Sequence, residues 1–167
     1  MSATALVPVE EYLLQTSKPY CEYREGVLYP KAMPTWFHGV IQFTLAAMLQ
    51  KLGLQASVEV RLCVAPGVFL IPDVVAARHI QDPYPIEPVL LCCEILSPED
   101  RLGAMLGKCE EYHAWGVPFC WVIDPAKRVA WEYHAGAEPV RVTSTLRAAE
   151  FAVSLEELFA ALETSGS

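Results

Sequence analysis

A single carboxylate interrupts a long apolar segment in the second half of this chain. Residues 89–96 read VLLCCEIL, and Glu94 is the one charged residue among them. Because the segment does not alternate between polar and apolar residues, it predicts a strand that is covered on both faces and lies near the centre of a sheet. A buried carboxylate is costly unless a cation pairs with it. The sequence therefore predicts either a metal ion or a basic side chain beside Glu94.

Asp73 poses the same problem one strand earlier. It follows Pro72 within residues 69–77, which predict the preceding strand. Two carboxylates that converge from neighbouring strands repel each other unless a cation lies between them. Mg²⁺ suits such a site, since it binds a few carboxylate oxygens and keeps water molecules for chemistry on a substrate. Asp73 and Glu94 are therefore the candidate ligands for Mg²⁺ or Mn²⁺.

Lys108 lies on a helix that is predicted to begin directly after the Glu94 strand. Ser97 is the expected N-cap, Pro98 fits the first helical position, and Asp100 supplies a carboxylate like that of a capping box. From the edge of the apolar stripe, Lys108 is expected to reach back over the end of the strand. There an ammonium group orients an attacking water or stabilises charge that develops on a phosphate. An ion pair between Lys108 and Glu94 without a metal explains the same pattern equally well.

The remaining segments predict one mixed α/β domain without internal repeats or linkers. Helices are expected over residues 9–14, from Thr35 to an end at Gly53, and after the capping box that begins at Ser154. The predicted apolar face of the long helix consists of Val40, Phe43, Thr44, Ala47 and Met48. The other predicted strands are two within residues 21–31, and then residues 57–64, 118–123, 129–134 and 140–146.

Size and composition fit one soluble domain. A chain of 167 residues with 53% hydrophobic content buries one sizeable core, so residues 1–167 are expected to form a single domain. No early segment joins a basic head to an apolar run, and no apolar run is long enough to span a bilayer, so a cytoplasmic protein is expected. The six cysteines form no CxxC pair, and they are expected to pack as small apolar residues.

The formal net charge of −8 opposes one class of function. Proteins that bind nucleic acids usually present basic patches to the phosphates. Part of the acidic excess is explained if carboxylates bind a metal, and part if it lies on a face remote from the substrate. The charge weighs against nucleic-acid binding without excluding it.

Residues 94–125 (EILSPEDRLGAMLGKCEEYHAWGVPFCWVIDP) resemble the core of a large bacterial family of restriction-endonuclease-like proteins, formerly a domain of unknown function. That family shows E-x-L-S-P at a strand end, a helix with lysine and tyrosine four residues apart, and then G-V-x-x-x-W-x-x-D-P. Residues 22–26 (EYREG) are similar to its early E-x-x-D-G segment, His38 to its helix histidine, and Pro72 with Asp73 to its P-D pair. The resemblance spans roughly residues 9–160 and keeps the family order throughout.

The resemblance implies a PD-(D/E)XK nuclease core, which is a restriction-endonuclease-like mixed β-sheet flanked by helices, with Mg²⁺ held by Asp73 and Glu94. The usual lysine position of that superfamily, two residues after the second acid, is Leu96 here. In this family the lysine lies on the following helix, which corresponds to Lys108. Ala104 is a departure, because the family often has aspartate at that place.

The resemblance also implies additional roles for Glu22 and His38. Glu22 corresponds to a further metal ligand or proton carrier, although an exposed strand carboxylate is an equally good interpretation. His38 is expected to line the cleft, whereas a lone histidine is more often a partly buried structural group.

These features together predict a Mg²⁺-dependent DNA endonuclease that hydrolyses phosphodiester bonds with a metal-activated water. Its predicted catalytic residues are Asp73, Glu94 and Lys108, its substrate is DNA, and a homodimer is expected because endonucleases of this fold commonly pair to cut two strands. The alternative is a catalytically inactive binding or interaction module that retains the nuclease fold. The acidic charge and Ala104 favour the alternative, and the complete set of three catalytic residues favours the enzyme.

Overall fold

The computed structural model describes residues 5–163, which form four helices and twelve strands. The helices are α1 (Val9–Leu13), α2 (Trp36–Lys51), α3 (Leu102–Trp115) and α4 (Leu155–Ala160). The strands are β1 (Cys21–Arg24), β2 (Val27–Pro30), β3 (Gln55–Val58), β4 (Leu62–Ala65), β5 (Val68–Leu70), β6 (Val74–Ala77), β7 (Leu91–Ile95), β8 (Phe119–Asp124), β9 (Val129–His134), β10 (Val140–Val142), β11 (Thr145–Ala148) and β12 (Phe151–Ser154). No helix in this part of the chain is long and apolar enough to cross a membrane.

Strand β7, which carries Glu94, lies in the middle of a six-stranded mixed sheet. The strand order is β10-β9-β8-β7-β6-β3, in which β7 and β8 are parallel and the other neighbours are antiparallel. Helix α3 forms the crossover between the two parallel strands, as such a connection requires. Every residue of β7 is buried, so the strand is covered on both faces as the apolar run predicts. The predicted mixed sheet flanked by helices is confirmed.

Helices cover both faces of this sheet and produce two hydrophobic cores. Leu45 of α2 and Leu158 of α4 are buried in the first core, and Tyr112 of α3 is buried in the second. Successive residues of a strand point to opposite faces. Cys93 therefore lies in the first core and Cys92 in the second. All six cysteines are free, and these two pack as apolar side chains.

A smaller antiparallel sheet, in the order β2-β1-β5-β4, packs against α1. Its contact with α1 is a cluster of Tyr12, Tyr23 and Phe69, in which the two tyrosine rings stack with centroids 4.7 Å apart. Because neighbours on a strand alternate, Glu22 faces away from this cluster. The buried carboxylate of Glu22 therefore lies on the face of the small sheet that does not contact α1.

Two segments that predict single strands are each divided between the two sheets. Residues 57–64 are split at Glu59, whose φ of 53° turns the chain out of β3 and toward β4. Residues 69–77 are split by residues 71–73, because Pro72 has no N–H to continue a ladder. The prediction of two continuous strands is wrong. An alternating pattern indicates which residues are buried, but it does not indicate which sheet a strand joins.

The apolar face predicted for α2 is wrong in part, although Val40 and Met48 pack partly buried against the first core. The buried face contains Ile41, Leu45 and Leu49, whereas the side chain of Phe43 is 76% exposed. Both faces of this helix carry apolar residues, so the sequence period does not decide which face packs against the sheet. One apolar face of α2 is therefore left toward solvent.

Helix α3 begins later than its sequence predicts. Its N-cap is Arg101, and residues 97–100 form a turn in which the Asp100 carboxylate accepts a hydrogen bond from the Ser97 N–H. The predicted N-cap at Ser97 is therefore wrong, although the reciprocal contact between the two residues exists. The helix ends at Gly116 as predicted, where φ is 123°.

Gly116→Ala tests this helix end. A Cβ there would lie 2.8 Å from Cγ of Pro88, and the positive φ disfavours a side chain, so we expect a loss of roughly 1–3 kcal/mol of unfolding free energy. The matched control is Gly107→Ala within α3, where a Cβ meets nothing within 4 Å. Removing that glycine is expected to stabilise the protein by about 0.5–1 kcal/mol. Urea unfolding measures both changes, and equal effects would contradict the argument.

Candidate active site

Three carboxylates and two lysines meet where the two sheets adjoin. Strands β6 and β7 are antiparallel with Val74 opposite Cys93, so one residue further along Asp73 stands opposite Glu94. A cavity of about 280 Å³ opens beside them. It is lined by Glu22, Tyr29, Pro30, Lys31, Ala32, His38, Asp73, Glu94, Ile95, Ser97, Asp100, Met105 and Lys108. The structure thus brings the five sequence-predicted residues, Glu22, His38, Asp73, Glu94 and Lys108, to one cavity.

Asp73 is held at both of its carboxylate oxygens. Oδ1 accepts a hydrogen bond from Lys31 Nζ at 2.8 Å, and Oδ2 accepts one from the Ile95 N–H at 2.8 Å. His38 Nε2 lies 3.3 Å from Oδ2. Burial by itself raises the pKa of Asp73, but the hydrogen bond from His38 and the charge of Lys31 outweigh it and hold the pKa well below its usual range. Asp73 is therefore ionised at neutral pH.

Glu94 has the opposite electrostatic balance. Its Oε1 accepts a hydrogen bond from the Tyr112 hydroxyl at 2.7 Å and forms an ion pair with Lys108 Nζ at 3.0 Å. Burial raises its pKa to about 7, the charge of Asp73 adds to this effect, and the charge of Lys108 opposes it. Among residues 5–163 no hydrogen bond or ion pair reaches Oε2. That oxygen is the part of Glu94 left for a ligand in the cavity.

Lys108 joins two of the carboxylates. Its ammonium pairs with Glu22 Oε1 as well as with Glu94, and it lies 3.4 Å from the backbone oxygen of Ile71. Burial lowers the pKa of Lys108, but the charges of Glu94 and Glu22 outweigh it, so the pKa is raised. Glu22 is held in turn, because its Oε1 accepts from the Ile71 N–H at 2.9 Å. The ion pair predicted as an alternative therefore exists in this structure.

Helix α2 contributes two polar side chains on one face, four residues apart. His38 lies in its first turn, where its N–H donates to the N-cap Thr35, and Gln42 donates to the backbone oxygen of Asp73 at 2.9 Å. His38 Nδ1 is buried without a hydrogen-bond partner in residues 5–163. Gln42 was missed in the sequence, although a polar pair at this spacing among buried apolar residues is a signal that identifies such a face.

Lys31 is the main site residue that the sequence does not reveal. It follows β2 directly, and its ammonium donates to Asp73 Oδ1 and to the backbone oxygen of Ile71, each at 2.8 Å. Its side chain is 14% exposed. In the sequence it stands in the short connection before Pro34, where a lysine usually faces solvent. Only the pairing of β1 with β5 brings this connection beside Asp73.

The mixed sheet flanked by helices is the architecture expected of a restriction-endonuclease-like protein. The family model of Uma2, described as "Putative restriction endonuclease", matches residues 9–165. The chain belongs to that family, which confirms the resemblance found in the sequence.

One solved structure supports the fold. The chain is similar to the crystal structure of a "putative nuclease belonging to DUF820" from Anabaena variabilis, with a TM-score of 0.78 and 21% identity, over 93% of this chain and 99% of that chain. It is also similar to a chain of a DrdV–DNA complex, with a TM-score of 0.42 and 19% identity, over 74% of this chain and 10% of that chain. No curated protein matches the chain.

The raised pKa of Glu94 predicts a pH dependence of stability. Because its pKa increases from 4.5 to about 7 on folding, the folded protein holds this proton more tightly than the unfolded chain does. The stabilisation that the protonated Glu94 gives to the folded protein is complete below the pKa of glutamate in the unfolded chain. It is lost as the pH rises through about 7. Between about pH 5 and pH 7.5, wild-type protein without metal should lose on the order of 2 kcal/mol relative to Glu94→Gln.

Urea unfolding at several pH values measures this difference. The matched control is Glu87→Gln, which changes an exposed carboxylate and should follow the wild-type pH profile. Parallel profiles for wild type and Glu94→Gln would show that Glu94 has an ordinary pKa.

Proposed function

We propose that this protein is a DNA endonuclease that depends on Mg²⁺ or Mn²⁺ and hydrolyses phosphodiester bonds with a metal-activated water. The observation that carries the proposal is the meeting of Asp73, Glu94 and Lys108 at one cavity of a chain that belongs to a restriction-endonuclease family. Its proposed catalytic residues are these three, with Glu22 and His38 as supporting residues. The proposed domain comprises residues 1–167.

The donor chemistry of the cavity fits a hard divalent cation. Mg²⁺ binds through one or two carboxylates and keeps several water molecules. Asp73 and Glu94 would hold it, and the free Oε2 of Glu94 faces no competing protein donor within residues 5–163. Within that range no three His, Cys, Asp or Glu side chains are placed to hold one metal ion together, so a two-carboxylate site is the arrangement proposed. Such an ion acts as a Lewis acid that activates water and polarises a phosphate.

The protein side chains have separate roles in this proposal. Tyr112 and Lys108 both bind Glu94 at Oε1, so they fix the carboxylate with Oε2 free. The Ile95 N–H and His38 fix Asp73 in the same way at Oδ2. Lys108 keeps its positive charge because two carboxylates neighbour it, and this charge stabilises the negative charge that develops on the phosphate.

We also propose that the protein forms a homodimer through the exposed face of α2. Met33, Trp36 and Phe43 are 80%, 70% and 76% exposed. A groove of about 490 Å³ beside them is lined by Pro34, Thr35, Trp36, Gly39, Val40, Phe43 and Thr44, none of which is charged. Two copies that each carry a net charge of −8 repel, so an uncharged apolar face is the surface on which they can associate.

Thermal melting with divalent metal tests the catalytic proposal. Millimolar Mg²⁺ or Mn²⁺ should raise the melting temperature of wild type by about 5 °C if it reaches a concentration roughly 100 times its Kd. Asp73→Asn should abolish that rise, whereas Asp82→Asn, which changes an exposed loop carboxylate, should keep it. Lys108→Ala should keep metal binding and lose plasmid nicking, with Lys51→Ala as its exposed control.

A wild-type melting curve that is indifferent to divalent metal would contradict the proposed mechanism. Lys31 and Lys108 would then be the permanent ion-pair partners of Asp73 and Glu94. The alternative, a catalytically inactive binding module with the nuclease fold, would then be the better explanation.

Light scattering tests the dimer. Wild type at micromolar concentration should have the mass of two chains, and Trp36→Glu with Phe43→Glu should reduce it to one, because a charge is costly to bury in an apolar interface. Ile86→Glu is the matched control, since Ile86 is an exposed apolar residue that does not line the α2 groove. A monomeric wild type would overturn the proposal.

A further inference from the structure

Two ammonium groups share one backbone oxygen at the site. Lys31 Nζ lies 2.8 Å from the oxygen of Ile71, and Lys108 Nζ lies 3.4 Å from the same atom. A lysine ammonium has three hydrogen-bond donors. Lys108 has three partners, namely a hydrogen bond to the oxygen of Ile71 and ion pairs with Glu22 and Glu94. Lys31 lines the cavity and meets two acceptors within residues 5–163, so one of its three donors has no protein acceptor there.

The two oxygens of Asp73 differ in how firmly they are held. Oδ2 accepts from the backbone N–H of Ile95, which cannot leave without breaking the end of β7, and from buried His38. Oδ1 accepts from Lys31, which is a flexible side chain at the end of β2. An incoming cation that binds Asp73 at Oδ1 therefore meets the positive charge of Lys31 beside that oxygen.

We propose that the ammonium of Lys31 is a resident counter-ion of Asp73, that a divalent cation displaces it from Oδ1, and that the released ammonium binds a phosphate of the DNA. This inference rests on the proposed metal-dependent nuclease. In the metal-free protein, the ammonium of Lys31 neutralises the buried charge of Asp73. Burial of that charge without a partner would destabilise the fold. Phosphate binding by Lys31 is also conditional on the metal, because the same ammonium serves Asp73 or the substrate.

Mn²⁺ titration calorimetry without DNA tests the displacement. Lys31→Met removes the competing positive charge, so we expect this variant to bind Mn²⁺ about 10-fold more tightly than wild type. Lys31→Arg keeps a charge and should bind Mn²⁺ nearly as wild type does. Lys108→Met should change the affinity by less than about 3-fold, since Lys108 does not hold the oxygen that the metal takes.

The outcomes separate this inference from the proposed function. If wild type and Lys31→Met both fail to bind Mn²⁺, the metal-dependent nuclease fails and this inference fails with it. If wild type binds Mn²⁺ and Lys31→Met gains nothing, or Lys108→Met gains equally, only the displacement is overturned. Thermal melting checks that each variant is folded, and Lys31→Arg provides the comparison if Lys31→Met does not fold.

DNA-binding anisotropy, with Ca²⁺ in place of Mg²⁺, tests the second half of the proposal. At saturating Ca²⁺ we expect Lys31→Met to bind a short DNA duplex about 10-fold more weakly than wild type, since one phosphate contact is lost. Without metal the two proteins should bind DNA equally, because Lys31 of wild type is then engaged by Asp73. Equal affinities at saturating Ca²⁺ would overturn the phosphate role.

Discussion

The buried charges around Ile71 connect the four-stranded and the six-stranded sheets of this protein. Glu22 comes from β1, Asp73 from the connection of β5 to β6, and Glu94 from β7, while Lys108 comes from α3. Removing one partner of a buried ion pair is strongly destabilising, because the other charge is left uncompensated. The positions of four separate elements therefore depend on the same cluster, so that the candidate site is also a structural junction.

The break in the chain at residues 71–73 makes this junction chemically useful. In a continuous strand the N–H and oxygen of Ile71 would be used by neighbouring strands. Here the N–H donates to Glu22, and the oxygen accepts from Lys31 and Lys108. Pro72 prevents the ladder from continuing. The split strand, which the sequence pattern did not predict, thus provides the backbone groups that orient the side chains of the site.

Sequence patterns predicted those features that depend on a residue's immediate neighbours. The apolar run predicted the central position of β7, and hence the burial of Glu94, because both faces of one strand can be judged from that strand alone. Lys31 and the turn at Glu59 depend on which strands pair, and the exposed position of Phe43 depends on which face of α2 meets the sheet. These features are determined by tertiary packing, and the local periodicity of the sequence does not indicate them.

The charge of the site bears on the apparent conflict between an acidic chain and an acidic substrate. Four carboxylates, one of them Asp100, and two ammonium groups line the cavity, so negative charge is in excess there when all are ionised. A divalent cation would cancel that excess, and at short range in a partly dry cavity such a charge acts much more strongly than distant surface carboxylates in water. In the proposed mechanism, affinity for DNA phosphate is therefore a property of the metal-loaded site, and the acidic surface opposes binding without it.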